Sequence, residues 1–419
     1  MLYVRRFMLM VAVAVMACGG VCGARPEPPE PANVAAVVTA YYHNSHADML
    51  VSRILQSETL DHEGRYPNLE LMSLYTDQTP ERDISRDLMQ KHGVPIFDTV
   101  EGALTLGWND LPVDGVLLVA EHGDYPRSKT TQIQYPKRRL FEEVLKTFDE
   151  TEETAPVFID KHLADNWADA KWIYDQAQKR DIPLMAGSSL PTLWRYPAVD
   201  VERGAKLEEM VAVSYHTLDA YGFHALEMVQ CLAEQRKGGE TGIKSVRCLT
   251  GEDVWKAAEK GVYDTELLDA AIARLKRQPR AGKTLQELVP KPVLFVINYA
   301  DGFRANVLTL NGAVAEWAVA WRGNGTPKIK STLFYTQEAR PFMHFSYLLR
   351  GIEHMFTTGD PAWPVERTLM TSGALDALLI SRLRDGEVVK TPHLMFSYDS
   401  DWRWEQPPPP PRDRPIHGQ

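Results

Sequence analysis

The sequence has 419 residues, of which 44% are hydrophobic and 24% charged, so it is long enough and apolar enough to form two or three globular domains. Its formal net charge is -10 and it contains no basic block, which argues against binding to nucleic acid or to an anionic membrane surface. Small neutral or cationic ligands are compatible with this charge.

The N-terminus has the pattern of an export signal. Arg5 and Arg6 precede an apolar stretch, 7–17, that is too short to span a bilayer, and small residues follow as far as Ala24. We therefore expect cleavage of a signal peptide, 1–24, and an exported protein in the periplasm or elsewhere outside the cytoplasm. The alternative is a lipoprotein, because the segment that ends at Cys18 loosely resembles a lipobox and would carry a lipid anchor.

Strands and helices alternate from residue 34 to about residue 200, after a proline-rich linker at 25–33. The apolar runs predict strands at 34–40, 69–76, 94–97, 114–120, 156–160 and 182–186, and helices near 46–57, 81–92, 100–106, 137–149 and 165–180. Alternation at these lengths predicts a Rossmann-like α/β domain with a doubly wound parallel sheet over 34–200.

The first predicted strand is followed by a turn without glycine. In a dinucleotide-binding fold, a glycine-rich turn at this point lets a pyrophosphate approach the backbone at a helix N-terminus. Here residues 41–46 read YYHNSH, so bulky side chains stand where phosphates would bind. The sequence leaves open whether a cofactor binds over this turn.

Residues 201–403 predict a second, α+β domain with an open, mostly antiparallel sheet. The pattern is largely helical at 207–234, and it predicts strands at 245–249, 293–299, 304–310, 313–321 and 330–334, with helices near 252–276, 342–357 and 365–384. Asp301-Gly302 favours a hairpin turn. The proline-rich tail, 404–419, is expected to be extended and disordered.

Two cysteines lie outside the signal region. Cys231 falls on a helical pattern and Cys248 on a strand pattern. They could form a disulfide in an oxidising compartment, or they could be two unpaired core thiols, and the sequence does not decide between these alternatives.

Six stretches of the chain carry motifs that occur together in one known family. They are the strand 71–77 with Pro80-Glu81-Arg82, the step 91–97 (KHGVPIF), the strand 113–120 (VDGVLLVA), the segment 158–164 (FIDKHLA), the helix start 222–227 (GFHALE), and the closing helix and strand from Arg367 to Pro392. In this order they resemble the Gfo/Idh/MocA family of oxidoreductases, which includes glucose–fructose oxidoreductase and inositol dehydrogenase.

The resemblance implies hydride transfer between a nicotinamide and a hydroxyl of a sugar or cyclitol. Lys161 and His224 occupy the positions of the family's catalytic lysine and histidine. A lysine with a lowered pKa, or a histidine that titrates near neutrality, can remove the hydroxyl proton while hydride leaves the carbon. Asp219 is displaced by one residue from the family's aspartate, and with Tyr221 it completes the predicted catalytic set.

The resemblance also implies NAD or NADP as cofactor, a small sugar-like substrate and a homo-oligomer. Asp77, at the end of the second strand, could accept a hydrogen bond from a ribose hydroxyl or could simply cap a helix. Trp194 and Arg195 follow the sixth strand and are the best candidates to contact a sugar ring. The predicted cofactor-binding residues are Tyr42, Asn44, Ser45, His46, Asp77, Glu121 and His122.

Two other functions are compatible with the same sheet edge. A metal-dependent hydrolase or lyase could use His43, His46, His122 and His162, because imidazoles beside carboxylates can bind Zn²⁺ or Mn²⁺ and activate water. The simpler interpretation is that Ser45 or Asn44 caps a helix here. A non-catalytic carbohydrate-binding protein that has lost the cofactor is the third hypothesis.

The segment between the fourth strand and its helix is rich in basic residues. It contains Lys129, Lys137, Arg138 and Arg139, together with Tyr125. A solvated face is the favoured interpretation of these charges over an anion-binding site.

Overall fold

Two β-sheets organise the protein in the computed structural model, which describes residues 30–323 and 328–409. The predicted signal peptide, the lipid anchor at Cys18 and the last part of the tail lie outside these residues. The strands are β1 Ala32–Val38, β2 Leu69–Thr76, β3 Ile96–Phe97, β4 Gly115–Val119, β5 Val157–Asp160, β6 Leu184–Gly187, β7 Trp194–Tyr196, β8 Leu207–Ser214, β9 Ile243–Thr250, β10 Val293–Tyr299, β11 Arg304–Thr309, β12 Trp317–Gly323, β13 Ile329–Tyr335 and β14 Val389–Lys390. The helices are α1 His46–Gln56, α2 Ser85–His92, α3 Val100–Thr105, α4 Lys137–Thr151, α5 Trp167–Lys179, α6 Ala220–Ala233, α7 Glu252–Glu259, α8 Thr265–Ile272, α9 Leu285–Leu288, α10 His344–Thr358 and α11 Val365–Leu383.

The first sheet is parallel throughout and has the strand order β3-β2-β1-β4-β5-β6. Successive residues of β1 are buried on opposite faces, with Val34 and Ala36 in one core and Ala35 and Val37 in another. This explains why β1 is an uninterrupted apolar run, and it confirms the predicted doubly wound sheet. The strand order reverses between β1 and β4, so the carboxyl ends of these two strands form the crevice in which such folds bind ligands.

The second sheet is mostly antiparallel, as predicted, with the order β14-β9-β10-β11-β8-β12-β13-β7 and one parallel pair, β8 with β11. The prediction of a largely helical segment over 207–234 is wrong for its first third. Residues 207–214 form β8, which lies between β11 and β12, and helix α6 begins only at Ala220. Pairing on both edges of β8 decides its conformation, because a short apolar run alone does not distinguish strand from helix.

Helices cover both faces of the second sheet. Helices α6 and α11 pack on one face, in the core that contains Phe223 and Phe295. Helices α7 and α8 pack on the other, in the core that contains Trp255 and Leu267. The stretch predicted as one helix, 252–276, is divided into α7 and α8. Gly261 at positive φ ends the first of these helices, and an N-cap aspartate starts the second.

Helix α10 follows the second sheet in sequence but packs on the first. Its residues Phe345, Leu348 and Ile352 lie in the same core as Val34 and Leu50. The chain from Pro31 onward accordingly forms one compact unit. This arrangement brings the start of α10 to the carboxyl ends of the first-sheet strands, where it contributes to the cavity described below.

Three further findings concern the two cysteines, the C-terminal segment and membrane-spanning helices. Cys231 and Cys248 are both buried and free. Residues 404–409, expected to be disordered, instead lie along the protein. Trp404 donates a hydrogen bond to Leu193 O, and Pro408 O accepts hydrogen bonds from Trp194 and Tyr347. In the described ranges no helix is both long enough and apolar enough to cross a membrane.

Candidate functional site

A cavity of about 320 Å³ lies at the carboxyl ends of β1, β4 and β5, against the start of α6 and the N-terminus of α10. Loops after parallel strands converge at this edge, so residues far apart in sequence share one space. Five histidines line it. The polar and aromatic lining residues are Asn44, His46, Glu121, His122, Arg127, Tyr135, Lys161, His162, Ser189, Thr217, Asp219, Tyr221, His224, Trp317, Thr336, Glu338, Phe342, His344 and Phe345.

A buried carboxylate between two lysines forms the floor of this site. Lys161 Nζ donates to Glu121 Oε2 at 3.1 Å, and Lys137 Nζ donates to Glu121 Oε1 at 2.9 Å. Lys137 also donates to the carbonyl oxygens of Asp160 and His162, both at 2.8 Å. The interpretation of Lys137 as part of a solvated face is therefore wrong, because this residue is fully buried at the first position of α4.

These contacts set the charges of the site. Burial alone would lower the pKa of Lys161, but the carboxylates of Glu121 and Asp160 outweigh burial and raise it above its ordinary value. Burial opposes ionisation of Glu121, and its two lysine neighbours nevertheless hold its pKa well below the ordinary value. Lys161 is thus an ammonium group at neutral pH, and the lowered pKa expected of a catalytic lysine is not found.

Four of the cavity residues, Asn44, His122, Lys161 and Phe342, have backbones at positive φ. His122 has a φ of 70° and Lys161 a φ of 62°, in the left-handed region that non-glycine residues rarely adopt. Such conformations cost on the order of 1–3 kcal/mol each and concentrate at functional sites. In Lys161 the strained residue directly follows β5, and its side chain reaches Glu121 on the loop after β4.

His46 forms a dyad with a buried aspartate. It is the first residue of α1, whose N-cap Ser45 accepts a hydrogen bond from Asp48 N at 3.2 Å. Its Nδ1 lies 2.6 Å from Oδ2 of Asp160, the last residue of β5. The Asp160 side chain is only 2% exposed, whereas the His46 side chain is 15% exposed. The dyad therefore has a buried acid and an imidazole that reaches the cavity.

His224 lies on the first turn of α6 and contacts a hydroxyl. Its Nδ1 is 2.5 Å from Ser188 Oγ, and that oxygen also accepts a hydrogen bond from Leu190 N at 3.0 Å. Burial, together with the positive charge of Lys161, lowers the pKa of His224 well below its ordinary value. His224 is consequently a neutral imidazole at physiological pH.

Asp219 and Tyr221 join Lys161 and His224 at the cavity, as the sequence predicts. Asp219 Oδ2 accepts a hydrogen bond from Ile133 N at 2.9 Å, and its Oδ1 is 3.9 Å from His162 Nε2. Burial raises the pKa of Asp219. The ring of Tyr221 stacks on Trp317, with 5.2 Å between centroids.

Four buried polar atoms on cavity residues have no hydrogen-bond partner within the described chain. They are His122 Nε2, Asp219 Oδ1, Trp317 Nε1 and His344 Nδ1. Leaving a buried polar atom unpaired costs about 1–3 kcal/mol, so such atoms are rare unless a ligand uses them. The set combines a donor, an acceptor and two imidazole nitrogens that can play either role. The hydroxyl groups of a ligand can both donate and accept, so they match atoms of each of these kinds.

The turn after β1 is closed by contacts within the chain. Backbone amides of the turn are already bonded, with Tyr42 N donating to Ser45 Oγ at 3.1 Å and Asn44 N donating to Asp48 Oδ2 at 2.8 Å. Arg340 pairs with the same Asp48 oxygen at 2.6 Å. An acidic side chain thus occupies the helix N-terminus at which a pyrophosphate would bind.

The two tyrosines of this turn have different positions. Tyr41 is fully buried beneath α1, where its hydroxyl lies 2.7 Å from Ser52 Oγ, so it does not occupy the phosphate position. Tyr42 stays at the surface, and the guanidinium of Arg82 lies 3.6 Å from the centre of its ring. The ring of Tyr42, a predicted cofactor-binding residue, is therefore already covered by the Arg82 side chain.

Asp77 lies at the end of β2 as predicted, but its carboxylate is already paired. It accepts hydrogen bonds from Tyr75 at 2.9 Å, from Tyr125 at 2.6 Å and from Arg139. These donors lower its pKa although burial opposes them. A ribose hydroxyl would have to displace one of these partners, and Asp77 is not a helix cap.

Trp194 and Arg195 do not reach the cavity, which corrects the substrate-binding role predicted for them. Both are fully buried in the described structure. The indole of Trp194 donates to Pro408 O at 2.7 Å, and Arg195 N donates to Gln406 Oε1 at 3.1 Å. Their strand, β7, is the edge of the second sheet. Trp194 and Arg195 there bind the segment 404–409 instead of a sugar.

Three of the four histidines of the metal alternative, His46, His122 and His162, line the cavity, and His43 lies apart from them. His43 is 64% exposed and lies 3.8 Å from Asp48, while His162 is buried and accepts from Lys137 through Nδ1 at 3.0 Å. In the part of the chain that the structure describes, no group of three histidine, cysteine or acidic residues could hold a metal ion. Ser45 caps α1, in line with the simpler interpretation of this segment.

Sequence reasoning missed Lys137, Ser188, Trp317 and His344. Ser188 directly follows β6, at the sheet edge where the other site residues are predicted, whereas Lys137 begins α4, well after the end of β4. Trp317 begins β12 and His344 begins α10, and only the packing of the second half against the first sheet brings them to the cavity.

The fold agrees with the family resemblance. A parallel sheet of the order 3-2-1-4-5-6, followed by a mostly antiparallel sheet, is the arrangement of sheets that the resemblance implies. No protein-family model and no curated protein sequence matches the chain. Solved structures do match over most of the chain, and they include GenD2 and inositol dehydrogenases.

Three of these structures illustrate the similarity. GenD2 from gentamicin A biosynthesis, solved in complex with NAD, is 15% identical, with a TM-score of 0.55 over 86% of this chain and 97% of that chain. A scyllo-inositol dehydrogenase from Lactobacillus casei is 12% identical, and a myo-inositol dehydrogenase from Corynebacterium glutamicum 11% identical; each has a TM-score of 0.54 over 86% of this chain and 98% of its own. At these identities the shared property is the fold, and the predicted fold is confirmed.

Proposed function

We propose that the protein is an NAD(P)-dependent oxidoreductase that acts on a hydroxyl group of a sugar or cyclitol. The observation that carries this proposal is the cavity itself. It is lined by both Lys161 and His224 and by four residues that carry unpartnered buried polar atoms, on a fold shared with inositol dehydrogenases. A polyhydroxylated ring would satisfy those atoms and bring one of its oxygens to the ammonium group.

In this proposal, side chains of the cavity donate hydrogen bonds to the reacting oxygen. Oxidation removes a hydride from the carbon and a proton from its hydroxyl, and it leaves a carbonyl group. Negative charge develops on the oxygen during this step, and a fixed ammonium group such as Lys161 stabilises it in a water-poor site. Lys161 is held in place by Glu121 at 3.1 Å, so little reorganisation is needed.

The nicotinamide cofactor would supply the hydride acceptor. The cavity residues His46, His122 and Lys161 would lie around its reactive ring, and His122 Nε2 is buried there without a partner. The residues that would contact the adenosine half already have partners within the chain. Tyr42 is covered by Arg82, and Asp77 is paired with Arg139. Binding of the whole dinucleotide would require these surface side chains to exchange partners.

The test is a direct assay with the purified protein. NAD⁺ or NADP⁺ is mixed with a panel of cyclitols, aldoses and sugar acids, and reduced nicotinamide is followed by its absorbance. We expect turnover with at least one pair, and a loss of about 10²-fold or more in kcat for Lys161→Met. The matched control, Lys171→Met on the exposed face of α5, should keep the wild-type rate. No binding of either dinucleotide at millimolar concentration would overturn the proposal.

The closed turn after β1 favours a second candidate function, a carbohydrate-binding protein without a cofactor. Its amides and its helix N-terminus are satisfied by Ser45 and Asp48. Calorimetry separates the two functions, because this candidate binds a saccharide with the same affinity whether or not NAD⁺ is present and shows no turnover.

We also propose that the protein is exported, and the N-terminal sequence supports this. A precursor that shortens by about 24 residues on secretion fits signal cleavage. Membrane attachment lost in Cys18→Ser would fit the lipoprotein instead. A homo-oligomer, as the resemblance implies, would need a surface other than the outer face of the second sheet, because α7 and α8 cover that face.

A further inference from the structure

We propose that His46 is the general base of this site and that Asp160 is its positioning residue. The inference rests on the proposed function, and it assigns the proton transfer to a residue outside the family's lysine and histidine positions. The positions of the hydrogens on the groups that line the cavity decide which of them can act as a base. A base must offer a lone pair to the substrate, so the partner of each group decides whether it qualifies.

Lys161 does not qualify as a base. Its ammonium group donates to Glu121 Oε2, and a second carboxylate, that of Asp160, lies nearby. Removing a proton from Lys161 would leave the Glu121 charge compensated by Lys137 alone. Lys161 therefore offers hydrogens to a ligand and no lone pair.

His224 also presents a hydrogen. Ser188 Oγ accepts the hydrogen bond from Leu190 N, and its own hydroxyl hydrogen needs an acceptor. The Nδ1 of His224, at 2.5 Å, is the acceptor in reach. With its lone pair used at Nδ1, the neutral ring carries its hydrogen on Nε2.

His162 has the same tautomer for a different reason. The Lys137 ammonium can only donate, and it lies 3.0 Å from His162 Nδ1. The hydrogen of the His162 ring is consequently on Nε2, on the side of Asp219. Burial, with Lys137 beside it, lowers the pKa of His162 to about 3, so the ring remains neutral.

His46 has the opposite arrangement. The carboxylate of Asp160 can only accept, so the 2.6 Å contact places the hydrogen on Nδ1 of His46. The lone pair is then on Nε2, which no other residue of the described chain bonds. Phe345 packs edge-on against the ring at 4.9 Å and His122 lies at 5.3 Å, which fixes its orientation.

The step balances with the groups named. The substrate hydroxyl proton passes to His46 Nε2, which gives an imidazolium whose charge the Asp160 carboxylate stabilises. A bound oxidised nicotinamide would supply the acceptor for the hydride of the same carbon, and a carbonyl group would remain. Lys161 and the Nε2 hydrogen of His224 donate to the reacting oxygen. In the reverse direction the His46 imidazolium returns the proton.

The first test reads the tautomer without any substrate. Long-range ¹H–¹⁵N spectra of ¹⁵N-histidine-labelled protein report which ring nitrogen is protonated, and His46→Gln assigns the signal. We expect the Nδ1-H tautomer at His46 in the wild type and a shift toward Nε2-H in Asp160→Asn. An Nε2-H tautomer at His46 in the wild type would overturn the inference, whether or not turnover is found.

The second test uses turnover with the best substrate from the panel. General base catalysis contributes about 10²–10⁴-fold, so His46→Gln should lose that factor in kcat with little change in KM. His354→Gln, on the exposed side of α10, is the matched control. Wild-type kcat in His46→Gln would refute the base, whereas an inactive wild type would refute the proposed function and leave the spectra to decide on the dyad.

Discussion

Lys161 and Lys137 share a single carboxylate, and each donates to a different oxygen of Glu121, at 3.1 and 2.9 Å. The three side chains are almost completely buried, so they interact where water screens little. Lys137 is anchored by backbone carbonyls as well, whereas Lys161 faces the cavity. The pair therefore divides into a structural ammonium and one that is available to a ligand.

Glu121→Gln should destabilise the protein strongly. It leaves two buried ammonium groups without their shared counter-charge, and removing one partner of a buried ion pair costs about 3–5 kcal/mol. We expect that loss in the free energy of unfolding, measured by urea denaturation. Glu150→Gln is the matched control, because Glu150 and Lys146 are a surface pair at 3.4 Å that should contribute less than about 1 kcal/mol. Equal stability of Glu121→Gln and wild type would contradict the assigned charges.

Acid should destabilise the protein through its buried histidines. Burial lowers the pKa of His162 and His344 to about 3, from 6.5 in the unfolded chain. As the pH falls below 6.5, the unfolded chain takes up protons that the folded one does not, so the free energy of unfolding falls. Each histidine contributes about 1.4 kcal/mol per pH unit in this window.

His344→Gln isolates one of these contributions. Between about pH 6 and pH 5, its free energy of unfolding should fall by about 1 kcal/mol less than that of the wild type. Urea unfolding at both pH values measures the difference. His354→Gln is exposed and should retain the wild-type slope. A wild-type slope in His344→Gln would mean that this imidazole titrates normally.

Arg139→Ala should tighten binding of NAD⁺. Arg139 and Tyr125 both donate to the Asp77 carboxylate, which a ribose hydroxyl would use. The hydrogen bond from Arg139 to Asp77 competes with the ribose hydroxyl and contributes about 1 kcal/mol. Its removal should lower the Kd for NAD⁺ about fivefold, as measured by calorimetry. Arg138→Ala is the matched control, because its guanidinium bonds Glu142 and Asp169 instead. An unchanged Kd in Arg139→Ala would show that the ribose does not reach Asp77.

The first sheet could be predicted from sequence because each of its elements has a clear period and sits between turns. The same regularity placed His46, Glu121, Lys161 and His162 at one edge, since parallel strands end together. The strand β8 was missed because its pairing partners β11 and β12 come almost a hundred residues later. Local propensity carries no information about such partners.

Burial was harder to predict than position. A lysine at the start of a helix is usually solvated, and only the carbonyls and carboxylate that surround Lys137 show otherwise. Trp194 was placed near the correct edge, but its indole is used by the C-terminal segment. Ionisation and tautomer states depend on these contacts, so the chemistry of the site could not be read from residue types alone.

The C-terminal segment should stabilise the fold without affecting the cavity. Trp404 donates from its indole to Leu193 O at 2.8 Å, and the guanidinium of Arg195 lies 4.2 Å from its ring. We expect Trp404→Ala to lower the free energy of unfolding by about 2 kcal/mol, because a hydrogen bond, a cation–π contact and partial burial are lost together. Urea denaturation measures the change.

The control for this prediction is Trp108→Ala. Trp108 is 63% exposed, so its removal should change stability by less than about 0.5 kcal/mol. Turnover, or ligand affinity, should be the same in both variants as in the wild type, since neither residue lines the cavity. Equal stability of the two tryptophan variants would mean that the segment at 404–409 does not hold to β7 in solution.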